Sequence, residues 1–142
     1  MFYCNIDEKV VLRHNNPQRA ITVSEDEVER LFYNIHNDNC NDCSIELKSR
    51  NRILEFYINR HLIASRSQYF RVLFETSNIY ANYSTTIMMK NDQDFNLYKL
   101  IFIYLHYGHM VIPAKYPIEN LLECYRLCEM YVIEGARRIV LQ

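Results

Sequence analysis

Glycine occurs only twice in 142 residues, which excludes a glycine-rich phosphate loop, because such a loop needs several backbone positions free of a Cβ. No apolar run approaches the roughly eighteen residues of a membrane span. The opening "MFYCNIDEKV" has neither the basic start nor the apolar core of a secretory signal. A cytoplasmic or nuclear protein is expected. Neither sign of charge prevails, and a net charge of −1 gives no general pull toward nucleic acid or anionic lipid. The basic clusters "RHNNPQR" and "KSRNR" are read as a solvated arm and a hairpin turn, with aromatic interleaving confined to Phe56 and Tyr57. There is no His-Glu-x-x-His motif and no internal repeat of about 20 to 50 residues. His14, His36, His61, His106 and His109 show no local signature tying them to a cysteine. Carboxylates cluster only in "EDEVE", which a first helical turn explains through its dipole. The expectation is therefore no catalysis, no cofactor, no metal, no small-molecule substrate, no nucleic acid and no membrane.

What remains is a globular profile, with 49% hydrophobic and 23% charged residues in a length that supports one core. Asn, Ile and Tyr number 14, 15 and 12; their AT-rich codons suit a low-GC genome, such as that of a large DNA virus or a protist. Five cysteines without a secretory signal are expected to stay reduced.

Residues 1–21 read as an N-terminal arm in which Lys9 to Arg13, "KVVLR", has strand character before "HNNPQR" breaks the pattern. Residues 22–142 read as the domain. Ser24 with Glu27 three residues on gives a capping-box signal, and Val28, Leu31, Phe32 and Ile35 share one helical face, which predicts a helix over about 25–36. Cys43, Ile45 and Leu47 alternate as in a half-buried strand; Leu54, Phe56 and Ile58 do the same after the turn "KSRN", giving an antiparallel hairpin. The stretch "NRHLIASRSQYFRVLF", Asn59 to Phe74, fits helical spacing, with Ile63, Phe70, Leu73 and Phe74 apolar and a thin middle of Ala64, Ser65 and Ser67. Thr85 to Met89 reads as a strand. Leu97, Leu100, Ile101, Tyr104 and Leu105 predict an amphipathic helix with Gly108 at its C-cap. "MVI" precedes Pro113, and Pro117 opens a helix burying Leu121, Cys124, Tyr125, Cys128, Tyr131 and Val132; "ARRIVL" reads as a last short helix. The order predicts an α+β fold, a small mixed sheet covered by a cluster of helices.

Cys40-x-x-Cys43 and Cys124-x-x-x-Cys128 have roughly the local spacing of a structural zinc site. Against that reading, Cys124 and Cys128 stand on an apolar helix and Cys43 in the inward phase of a strand, where cysteine acts as a small hydrophobe. A zinc-stabilised domain is the minor alternative to core thiols.

In register, "DCSIEL", "NRHLIASRSQYFRVLF", "FIYLHYG" and "CEMYVIEGARRI" resemble the first strand, the central small-residue helix, a Phe-Ile-Tyr-x-Gly helix end and the closing segment of the BTB/POZ domain family. The resemblance covers about residues 23–141 and implies a protein–protein interaction module that commonly self-associates. It implies a homodimer interface carrying Val28, Leu31, Phe32, Ile35, Leu62 and Ile63. It also implies a buried pair between Asp42 and Arg60, and an exchanged strand for which Lys9, Val10, Val11, Leu12 and Arg13 are the candidates. On this reading Leu31→Asp separates subunits without unfolding them. Many members carry His where this chain has Asn59, which sets the usual hydrogen bonding at that helix start in question. Further partners implied are a cullin-type ubiquitin ligase scaffold, facing Asn78, Ile79 and Tyr80 but without the family's apolar-x-Glu element, and larger BTB proteins capped as inhibitory heterodimers.

Overall fold

The computed structural model of the chain describes residues 20–76, 84–89 and 94–136. A short strand β1 (Ile21–Val23) runs into helix α1 (Glu25–His36). Ser24 caps α1, its Oγ accepting from the backbone N–H of Glu27 at 3.1 Å, while the Glu27 carboxylate pairs with Arg30. The hairpin β2 (Cys43–Lys48) and β3 (Ile53–Ile58) follows. Leu54, Phe56 and Ile58 stand opposite Leu47, Ile45 and Cys43, so the alternating residues face one core.

A single helix from Asn59 to Phe74 does not form. Ser67 is extended (φ −134°, ψ 113°) and divides the stretch into α2 (Arg60–Arg66) and α3 (Gln68–Thr76). Its buried hydroxyl donates to the carbonyl of Tyr131 at 2.7 Å and accepts from the Phe70 N–H at 3.2 Å, capping α3 from within. Strand β4 (Ser84–Met88) joins the sheet beside β2, in parallel, giving the order β3–β2–β4.

Helix α4 (Asp94–Tyr107) departs from its expected amphipathic character. All its residues except Asp94 and Asn96 are buried, including Lys99 and His106. Apolar on every side, it is the axis on which α1, α2 and the last helix pack. At its C-terminus Gly108 adopts φ +76°, and a Cβ there would meet the Arg66 guanidinium at 2.8 Å. That guanidinium donates to the Leu105 carbonyl at 3.0 Å, satisfying an end that has no helical partner. Strand β5 (Val111–Pro113) then pairs in parallel with β1, so Ile21, 1% exposed, belongs to the core. Helix α5 (Ile118–Met130) buries Cys124, Leu127 and Cys128; Val132, expected on that buried face, is turned out to solvent at φ 52°. "ARRIVL" lies outside the described residues except for Ala136, which is buried.

The aromatic cluster expected at the end of the central stretch is present. Phe70 stacks on Tyr131 (5.3 Å, 11°) and Phe74 (5.9 Å, 28°) and touches Phe102 (5.8 Å), which meets Phe56 and through it Phe32.

Candidate interaction surface

The loop between α1 and β2 ties three element ends together. Asn41 donates its amide to the Ile35 carbonyl at 2.6 Å, covering the C-terminus of α1. Asn59 donates to the Cys40 carbonyl at 3.2 Å while its Oδ1 accepts from the N–H groups of His61 and Leu62, capping α2. The asparagine thus supplies a complete helix start. Histidine has no oxygen to accept from two amides, so Asn59 changes the chemistry of this position without leaving it unsatisfied.

Asp42 and Arg60 meet at the same place. One carboxylate oxygen accepts from Arg60 Nε at 2.9 Å and the other from the Arg60 backbone N–H at 2.9 Å. The expected burial is not found, since the side chains keep 34% and 23% exposure. In that setting the pair is worth about 1 kcal/mol or less and acts mainly to fix how α2 leaves the hairpin.

Behind this node lies His106, 4% exposed on the inner turn of α4. Its Nε2 accepts from the Asn59 N–H at 3.3 Å, which places the ring proton on Nδ1 facing the Phe102 carbonyl at 3.0 Å. Burial pulls its pKa down from 6.5 to about 4; the Phe102 hydrogen bond and Asp38 oppose this shift, and Arg66 adds to it. An unfolded chain therefore takes up this proton first as pH falls. Stability is complete above pH 6.5 and is lost progressively toward pH 4, by roughly 3 kcal/mol. Urea denaturation at pH 7 and pH 4.5 should show that loss. His106→Gln, less stable at pH 7, should show a distinctly shallower dependence; an unchanged slope would assign it to other groups.

Val28, Leu31, Phe32, Ile35 and Ile63 are all buried within one chain, at 0 to 7% exposure. They face α4 and the hairpin, as the Phe32–Phe56 ring contact at 4.8 Å illustrates. Within one chain they are core residues. Helix α1 instead turns Glu29, Arg30 and Tyr33 outward, and Leu62 on α2 is half-buried. Tyr33 is 66% exposed. Sequence reasoning missed it because it lies off the apolar stripe. Beside it a groove of about 470 Å³ runs between α1 and β3, with Phe32, Leu54 and Phe56 as floor and Glu29, Lys99 and His36 at the rim. The exchanged-strand candidates Lys9 to Arg13 and the cullin-facing residues Asn78, Ile79 and Tyr80 lie outside the described residues.

Among the described residues, no three His, Cys, Asp or Glu side chains converge as metal ligands. Cys43, Cys124 and Cys128 are buried, whereas Cys40 is half-buried in the loop before β2. Burial, then the charge of Asp42, pushes the Cys43 thiol up to about 11, and a hydrogen bond with Cys124 together with burial raises Cys128. Covered by the fold, and with the Cys43 and Cys128 thiols also held protonated, Cys43, Cys124 and Cys128 should react with a disulfide reagent at pH 8 on the order of a hundredfold more slowly than in urea. Mass-mapped labelling checks this; rapid labelling of Cys124 in the native chain would contradict the packing of α5.

A family model described as the BTB/POZ domain matches residues 22–141. Among solved structures, the BTB domain of zebrafish PATZ1 is similar with a TM-score of 0.53 at 15% identity, over 84% of this chain and 91% of that one. No curated protein matches the sequence.

Proposed function

Because the chain belongs to the BTB/POZ domain family, whose members are protein–protein interaction modules, we propose that it acts by self-association, with the outward sides of α1 and α2 forming the contact. The observation that carries this reading is Tyr33. The core closes within one chain, yet this large side chain stands 66% exposed on the helix that the family resemblance places at the interface. Tyrosine offers a wide apolar surface at low entropic cost and is enriched among residues that dominate binding. Leu62, half-buried on α2, extends the apolar part, and the Asp42–Arg60 pair fixes how α2 leaves the hairpin.

The test is absolute mass by light scattering on a sizing column over a hundredfold range of concentration. The expected mass at the upper end is twice the 17.2 kDa of one chain. Tyr33→Asp should weaken the dimer at least about tenfold with its melting temperature retained. A monomer at every concentration overturns self-association and leaves the single-copy adaptor reading.

A further inference from the structure

Among the described residues, strand β3 stands at the edge of its sheet. The register and the Ser49-to-Arg52 hydrogen bond direct the main-chain groups of Arg52, Leu54, Phe56 and Ile58 toward β2. Those of Ile53, Glu55 and Tyr57 therefore point away from it. At Tyr57 the outward N–H is taken by His36 Nδ1 at 3.2 Å, and the two rings stack. Among the described residues no strand pairs with the edge from Ile53 to Glu55, and the groove between α1 and β3 runs along it. Two side-chain features mark what fits there. Ile53 is 58% exposed, and Glu55 stands directly opposite Glu46 on the outward face of the sheet. Like charges so placed repel, and no salt bridge among the described residues closes on either.

We infer that Lys9–Arg13 of the same chain adds to β3 as an antiparallel strand. With Lys9 opposite Glu55 and Val11 opposite Ile53, a cation meets the two carboxylates, a β-branched side chain covers the exposed isoleucine, and Val10 turns inward beside Leu54. The shorter register, ending before Tyr57, is the one His36 leaves open. The connection is of comparable length to the path along α1. β3 runs alongside α1 in the same sense, since Phe56 meets Phe32 and Tyr57 meets His36. The antiparallel strand therefore exits at the Ile53 end. From Ala20 to Glu29 the chain covers at most about 21 Å, as four extended and five helical steps, and residues 14–20 span up to about 23 Å. A tether of that length favours the segment in its own chain over one from a second molecule.

The experiment is amide hydrogen exchange on the full chain, read at Ile53 and Glu55, at two protein concentrations tenfold apart. Protection at both amides is expected, about tenfold or more above that in Val11→Pro, whose strand lacks the donor facing β3, and independent of concentration. Lys9→Glu should lower the protection and Lys9→Glu with Glu55→Lys should restore it. Equal exchange in the wild type and Val11→Pro overturns the inference, and so does protection that rises with concentration. Although Tyr33 lines the same groove, the two outcomes are read separately, because protection at Ile53 and Glu55 that is independent of concentration reports the added strand and the mass reports the dimer.

Discussion

Leu31→Asp should unfold the domain. Leu31 is 2% exposed, sits against the buried helix α4 and has its own carbonyl engaged by the Tyr107 hydroxyl at 3.3 Å. A carboxylate there finds no partner, so it must either take up a proton or force the helix off the core; the cost is at least about 4 kcal/mol. A chain of this length loses on the order of 3 °C of melting temperature per kcal/mol, so the transition should fall by more than about 10 °C, followed by circular dichroism. The surface substitution Tyr33→Asp should leave it in place. If Leu31→Asp instead melts with the wild type and runs at half its mass, then Leu31 faces a partner and the described packing of α1 is wrong.

Phe70→Ala should cost about 3 to 5 kcal/mol, because the ring is 1% exposed and its removal empties the centre of the aromatic cluster. Tyr131, Phe74 and Phe102 come from three different elements, so none can slide in to fill the space without moving a helix. Val72→Ala, two residues on but 47% exposed, should change stability by no more than about 0.5 kcal/mol. Urea midpoints of the two variants against the wild type decide the matter, and similar midpoints for both would remove Phe70 from its central role.

Periodicity was enough to read α1 and the hairpin, because each has one face in the core and one in water, and the side-chain pattern reports that contrast directly. It misled at α4. Asn96, Lys99 and His106 look like a polar face, but Lys99 is buried through an ion pair with Glu29 at 2.8 Å and His106 through its two hydrogen bonds. A polar residue whose partner lies far along the chain has no local signature. The same holds for Ser67, which reads as one small residue among several until Tyr131, 64 positions later, supplies the carbonyl its hydroxyl needs. Motif resemblance located the Asp42–Arg60 pair, since both residues flank recognisable elements. It could not separate interface from core on α1, because a buried stripe looks the same whichever chain covers it.

Helix α4, enclosed on every side, also constrains the order in which the molecule can be made. While the chain emerges from the ribosome, the apolar face of α1 and the inner face of the hairpin lack the central helix they close upon until about residue 107 has been synthesised, and β4 pairs with β2 across an intervening pair of helices. Nascent chains therefore expose most of their future core during the bulk of translation, which makes this domain a natural client for chaperones that shield apolar segments and places its main aggregation hazard before release rather than after it.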